Sequence, residues 1–396
     1  MRRALDELAT QAGVVFFDYQ LEAFEKAAAM PEPMQRRCLY YKTGAGKSLT
    51  ALVDMALWGQ DEVLVITPPS TYPQWVKAGA ALGIDVETMS HATFRMAKTK
   101  LSRTKAVIAD EMHLFGGHVG QGWKKLDTLA RYLQAPMVLA SATPNYNDAD
   151  RVYCIQHILN PASCRGGYMQ FVYDNCTTVA NPFGLMPEVT GFVRYPDAAG
   201  YLAALPGVDY LRDDLVYQVV DVPVPATWPD EVERFGINVR THRILASGME
   251  TRHARVNLSL VDDGGGLRQH VYDELTTLVG NAGTPVLVFA AHSTVADALG
   301  RTLNHNGVKH AVVTGDTSAK KKSYHIDLFK GGALDVLVGT ATLATGTDGL
   351  DKVCDTLIIL DDTDDDSLRR QLIGRVMPRG ADADASGKQV YRMVLT

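Results

Sequence analysis

The stretch Thr43-Gly44-Ala45-Gly46-Lys47-Ser48 has residue types and spacing suited to holding phosphate. Glycines at 44 and 46 let the backbone curl so that successive N–H groups converge on phosphate oxygens. Lys47 supplies a point charge for the β- and γ-phosphates, and the Ser48 hydroxyl can sit on Mg²⁺. An apolar run, Cys38-Leu39-Tyr40-Tyr41, precedes it as a strand would. Residues 49–58 follow with helical periodicity, so a helix N-terminus would aim its dipole at the anion. The full pattern opens with a glycine five residues before Gly46, and Tyr41 stands there. A second constellation, Asp110-Glu111-Met112-His113, follows the apolar run 106–109. Asp110 can hold Mg²⁺ through its water shell, and Glu111 can orient or deprotonate an attacking water. Alone, the first would be a tight glycine turn and the second an acidic strand cap. In this order, after successive buried strands, they suit a nucleotide hydrolase.

The elements that must position these residues read as α/β. Between 35 and 145, β-rich runs at 37–41, 63–67, 106–110 and 136–140 alternate with helical segments. Their lack of period-2 alternation predicts strands buried on both faces of a parallel sheet. A second series has runs at 285–290, 310–314, 335–339, 356–360 and 389–395, separated by helices at 293–304, 320–330 and 367–376. The expectation is two α/β domains with parallel sheets, at 1–160 and 266–396. A small helical protrusion and linker over 161–265 would join them. That segment is rich in Pro, Gly and aromatics, includes Val222-Pro223-Val224-Pro225, and closes with Asp262-Asp263-Gly264-Gly265-Gly266.

At 396 residues the chain suggests two or three domains, and 46% hydrophobic with 21% charged residues is the composition of a soluble globular protein. No apolar run reaches membrane-spanning length, and the acidic start Met1-Arg2-Arg3-Ala4-Leu5-Asp6-Glu7-Leu8 is not a signal peptide. Cysteines at 38, 154, 164, 176 and 354 form no Cys-x-x-Cys pair, which argues against zinc and disulfides and fits a reducing cytoplasm. With a net charge of −6, any attraction to a phosphate backbone must be local. Asp361-Asp362-Thr363-Asp364-Asp365-Asp366 precedes the expected helix 367–376 and reads as a solvated N-terminal cap.

Further segments fall into an ordered series. Phe17-Asp18-Tyr19-Gln20, Ile66-Thr67-Pro68-Pro69-Ser70 with Gln74-Trp75, and Met89-Ser90-His91-Ala92-Thr93-Phe94 flank the phosphate loop and the acidic pair. Ser141-Ala142-Thr143-Pro144 follows them. In the second half come Val286-Leu287-Val288-Phe289, Thr314-Gly315-Asp316-Thr317, Gly339-Thr340 through Gly346-Thr347-Asp348, and Gln371-Leu372-Ile373-Gly374-Arg375-Val376-Met377-Pro378-Arg379. This series resembles the motifs of the superfamily 2 helicases and translocases over nearly the whole chain. Asn147, Ile158-Leu159-Asn160-Pro161 and Leu211-Arg212-Asp213-Asp214-Leu215 look closest to Swi/Snf-type duplex-DNA translocases and phage recombination helicases.

The resemblance implies tandem RecA-like (P-loop NTPase) domains with Mg²⁺ and ATP in an interdomain cleft. It implies ATP-driven movement along DNA, in a bacterial or phage-infected cytoplasm, with phage replication or recombination proteins as partners. Gln20 would read the adenine edge, and Thr43 to Ser48 with Asp348 would complete the nucleotide site. Arg375 or Arg379 would be the arginine finger. Thr67, Pro68, Ser90, Thr314, Thr340 and Thr342 would grip the strand, while His113, Ser141, Thr143 and Gln371 would couple hydrolysis to motion. An RNA helicase and an ATP-gated nucleic-acid-binding module without motor activity are the alternatives.

Overall fold

Apolar runs without alternation become strands covered on both faces, and the chain builds two such sheets. The computed structural model describes residues 2–32, 34–42, 44–96, 106–142, 149–180, 187–211, 218–225, 237–238, 243–244, 259–283, 285–344, 347, 349–363, 366–378 and 385–396. They fall into two units that divide between Asp213 and Asp214.

The first unit runs α1 (Arg2–Ala12), α2 (Asp18–Ala28), β1 (Arg36–Tyr41), α3 (Lys47–Leu57), β2 (Glu62–Ile66), α4 (Tyr72–Ala81), β3 (Asp85–Met89), α5 (His91–Met96) and β4 (Ala106–Ala109). It continues with α6 (Gln121–Arg131), β5 (Met137–Ser141), α7 (Ala149–Leu159), α8 (Gly167–Asn175), β6 (Cys176–Val179), β7 (Glu188–Phe192), α9 (Ala198–Ala203) and β8 (Val208–Leu211). Six strands form a parallel sheet in the order β3-β2-β4-β5-β1-β8, and β6 and β7 make a separate antiparallel hairpin. Side chains alternate between two apolar layers: Leu39, Val65 and Ile108 pack with Phe24, Leu52 and Trp75, whereas Cys38, Ile66 and Leu139 pack with Phe94, Trp123 and Leu126.

The second unit begins with β9 (Val219–Val224) and a short antiparallel pair, β10 (Ile237–Asn238) and β11 (Arg243–Ile244). It then runs through β12 (Val286–Ala290), β13 (His310–Val313), β14 (Val336–Gly339), β15 (Thr356–Asp361) and β16 (Gln389–Leu395). Helices Gln269–Asn281, Ser293–His305, Ala319–Lys330 and Asp366–Val376 lie between the strands. Its six-stranded sheet is also parallel, in the order β13-β14-β12-β15-β16-β9.

The α/β class with two parallel sheets is as expected, but three strands of those sheets, β3, β8 and β9, lie outside the expected runs. Each is a sheet edge or next to one, so it needs no continuous apolar run. Asp85 and Glu87 face solvent in β3, and Pro223 is tolerated in β9 because that strand pairs only with β16. The segment 161–265 is shared between the units: α8, the hairpin, α9 and β8 belong to the first and β9 to the second.

Strand β1 carries a charge into this apolar setting. Arg37 is fully buried; its Nη1 donates to Asp54 Oδ1 of α3 at 2.8 Å and its Nη2 pairs with Asp209 of β8, which also receives Lys26 Nζ at 3.1 Å. Burial pushes Asp54 up to about 7, and the Arg37 charge and hydrogen bond draw it back only in part. Removing one partner of such a cluster strands the others without water. Arg37→Met is therefore expected to destabilise the chain by about 3–5 kcal/mol in urea unfolding. Asp209→Asn, which keeps an acceptor, should cost less, and equal stability of Arg37→Met and wild type would contradict this role.

Candidate nucleotide-binding site

The phosphate loop joins β1 to α3, with Gly44 and Gly46 both in the left-handed region at φ +82° and +74°. A side chain at position 46 would also meet Gln20 Nε2 at 2.9 Å, so backbone and space both require glycine there. Lys47 Nζ donates to the carbonyls of Tyr41 and Lys42, each at 3.1 Å, which keeps the ammonium folded onto the loop. Ser48 is half-buried in the first turn of α3. The loop is braced from α2. Tyr19 Oη donates to the Ala45 carbonyl at 3.0 Å, Gln20 Nε2 to Thr50 Oγ1 at 3.0 Å, and Thr50 Oγ1 to the Gly46 carbonyl at 3.1 Å.

Gln20 Oε1 accepts from the Phe17 N–H at 3.0 Å, so both ends of its amide are used within the protein. Gln20 is 2% exposed and buttresses the loop. Tyr19 and Thr50 are additions to the site. A sequence signal exists for Thr50, which lies one helical turn after Gly46. Thr43, whose place in the loop was expected, lies outside the described residues.

The acidic pair sits just past β4, beside the end of β2. Thr67 Oγ1 donates to Asp110 Oδ2 at 2.7 Å, and His91 Nε2 contacts the Asp110 carbonyl at 2.9 Å. Burial first, then the neighbouring Glu111 charge, raises Asp110 to about 6, while the Thr67 hydroxyl and the Lys47 charge pull it down. The loop follows β1 and the acidic pair follows β4, so both lie at the same end of one parallel sheet. Burial lowers His91 below its ordinary range, which favours the neutral ring. Glu111 has φ +46° and ψ +54°, a left-handed conformation that costs a residue other than glycine about 1–3 kcal/mol. His113 Nδ1 lies 3.4 Å from Glu111 Oε2 and 3.3 Å from Ser141 Oγ, so it bridges the acidic pair and the end of β5.

The residues expected to grip a strand divide into two groups. Thr67 is completely buried, with its hydroxyl on Asp110 and 2.6 Å from Thr71 Oγ1. It locks the acidic pair. Pro68 is half-buried, and its carbonyl accepts from Thr71 Oγ1 at 2.8 Å. Ser90 Oγ accepts from the Thr93 N–H at 3.0 Å and so caps α5.

In the second unit Thr314, Thr340 and Thr342 do come together at the ends of β13 and β14. The Val313 carbonyl accepts from Thr340 N at 3.1 Å and from Thr342 Oγ1 at 3.4 Å. Gln371 and Arg375 are buried in helix Asp366–Val376. Arg375 Nε donates to the Ala344 carbonyl at 2.9 Å, and Lys322 Nζ donates to the neighbouring Thr342 carbonyl. Burial and the Arg375 charge lower Lys322 to about 8. Arg379, Asp348 and Thr143 lie outside the described residues.

Residues 269–380 match the family model of the helicase conserved C-terminal domain. That match lies within the second unit. Among solved structures, a variant of S. cerevisiae Dbp5 bound to Gle1 and IP6 is similar over 96% of this chain and 82% of that one, with a TM-score of 0.50 at 14% identity. The Sulfolobus solfataricus SWI2/SNF2 ATPase core, in complex with dsDNA, covers 96% and 87% at a TM-score of 0.40 and 14% identity. The same core domain alone gives 0.39 at 16% identity, with 96% and 85% covered. No curated protein matches by sequence. The likeness to Dbp5 is one of fold, that of tandem RecA-like domains. No helix among the described residues is long and apolar enough to cross a membrane.

The Thr67 hydroxyl favours ionised Asp110, so its loss should leave the carboxyl protonated to higher pH. Thr67→Val is expected to move the acid limb of Mg²⁺-dependent nucleotide binding upward in pH, read by fluorescent-ADP titration across pH 5–8. A profile that coincides with the wild type in a folded variant would contradict the Thr67–Asp110 lock.

Proposed function

We propose that the chain is an ATP-dependent DNA translocase or helicase. The observation that carries this is the placement of the phosphate loop after β1 and the acidic pair after β4, at the same end of one parallel sheet, in a chain whose residues 269–380 match the helicase C-terminal domain. The loop fits a nucleotide triphosphate: two left-handed glycines, a helix N-terminus and Lys47 form the phosphate cradle. Ser48 and Asp110 would hold Mg²⁺, which when bound supplies charge neutralisation at the β- and γ-phosphates. Glu111 orients the attacking water and takes its proton, and His113 links Glu111 to Ser141 so that a change at the acidic pair reaches the end of β5. Thr314, Thr340 and Thr342 offer hydroxyls and amides that suit backbone phosphates, contacts that position a strand without reading its bases. The motif series over 144–161 supports DNA over RNA, and a bacterial or phage cytoplasm with replication or recombination partners is part of the same reading.

In this reading Arg375 or Arg379 supplies a guanidinium to the γ-phosphoryl oxygens. One observation favours a second reading, an ATP-gated binding module without motor activity. Arg375 is buried, with its Nε on the carbonyl of Ala344 in its own unit.

ATP turnover should rise with DNA, and both Lys47→Ala and Glu111→Gln should abolish it. Glu111→Gln should still bind Mg-ATP. Steady-state hydrolysis with duplex DNA, single strands and RNA, beside a triplex-displacement assay, decides among the readings. Hydrolysis indifferent to every nucleic acid would overturn the motor. Stimulation by RNA alone would replace DNA as substrate, and stimulation without displacement would favour the binding module.

A further inference from the structure

Glu111 is held in a backbone conformation that a carboxylate residue does not favour, at φ +46° and ψ +54°. The peptide leading into it ends the residue Asp110, whose carbonyl is the partner of His91 Nε2 at 2.9 Å. A carbonyl can only accept, so the imidazole is the tautomer protonated at Nε2. The His91 ring is buried and packs edge-on against Phe115 at 4.8 Å, and Phe115 belongs to the turn Met112–Phe115 that follows Glu111. The ring thus touches the acidic pair's loop on both sides of Glu111.

The short helix that carries His91 is fixed at both ends. Ser90 Oγ accepts from the Thr93 N–H at 3.0 Å, and Lys125 Nζ of α6 donates to the Phe94 and Arg95 carbonyls at 2.7 and 2.6 Å. His91 is therefore a donor with a rigid seat, placed on the one peptide whose rotation would swing the Glu111 carboxylate. Phe94 of the same helix packs against Phe115 at 5.9 Å, which holds α5 against the loop independently of the hydrogen bond.

We propose that His91 is a positioning residue for hydrolysis, holding the Asp110–Glu111 peptide so that the Glu111 carboxylate faces the attacking water. This rests on the ATPase reading above, because it requires Glu111 to act there. It also gives α5 a role in turnover, since a displacement of that helix reaches the Glu111 backbone through the His91 hydrogen bond and the packing on Phe115.

Two substitutions separate this from packing. His91→Phe keeps a buried ring and loses the donor, while His91→Gln loses the ring and keeps an N–H at about the reach of Nε2. In the full chain with saturating DNA, His91→Phe is expected to lower kcat about tenfold or more with KM for ATP within about twofold. His91→Gln should return to within about threefold of the wild type. A packing role predicts the opposite order. Should His91→Phe fail to fold, His91→Gln is compared with His91→Asn, whose amide stops short of the carbonyl and should be about tenfold slower. Wild-type kcat in His91→Phe, or equal kcat in the Gln and Asn variants, overturns the proposal and leaves the ATPase reading standing. Absence of ATP hydrolysis by the wild-type chain with every nucleic acid removes both.

Discussion

The buried guanidinium of Arg37 is the constraint around which the first unit is arranged. A charge at zero exposure in a central strand must be met by carboxylates, and no solvent can substitute for them. Asp54 comes from the helix that begins at Lys47, and Asp209 from an edge strand that enters the sheet only after α8, the hairpin and α9. The strand before the phosphate loop and the helix after it are thus tied together away from the loop itself. Clusters of this kind add little net stability over an apolar replacement, because desolvation consumes most of the Coulomb gain. What this cluster specifies is pairing: β8 finds β1 because only there does Asp209 meet a buried cation.

With that frame fixed, parallel topology does the rest. Every strand of the sheet ends at the same edge, so residues far apart in sequence converge there. Thr67 from the end of β2, Asp110 and Glu111 from the end of β4 and Ser141 from the end of β5 are neighbours for this reason. The convergence has an energetic consequence. Two adjacent carboxyls with Asp110 buried would resist ionisation, and burial and Glu111 do raise Asp110 to about 6. The hydroxyl of Thr67 and the charge of Lys47 work in the opposite direction, so the ionised state of the acidic pair depends on the loop and on β2 together. A nucleotide that drew Lys47 away from the Tyr41 and Lys42 carbonyls would alter that balance directly.

The central strands and the phosphate loop were legible because their signals are local: continuous apolar runs, glycines at fixed spacing, acids at a strand end. The edge strands β3, β8 and β9 were not. β3 presents Asp85 and Glu87 to solvent and β9 contains Pro223, so both look like connecting segments until a neighbour's ladder defines them. The hydrogen bonds of Gln20 and Thr67 were not legible for a related reason. Position in a motif says that a polar side chain is near the site, but not which way its hydrogen bonds run, and in both cases they run inward. His91 lay in the singled-out segment 89–94, but nothing in the sequence gave it a role. Its significance comes from a contact with a residue nineteen positions later, which only the fold creates.

The second unit shows the complementary chemistry. Lys322 and Arg375 are buried beside one another and direct donors to the carbonyls of Thr342 and Ala344, on either side of Leu343 in one short turn. Bringing two cations out of water together is unfavourable, and burial first, then the Arg375 charge, lowers Lys322 to about 8. A turn that needed only to be held in place could be held by neutral groups. Cations concentrated there, next to Thr340 and Thr342, are what a unit requires if its partner in the proposed reaction is an anion. The first unit, by contrast, concentrates its carboxylates behind a single lysine. Phosphate chemistry needs both arrangements, acids to handle water and metal and cations to meet the charge that develops on the transferred group.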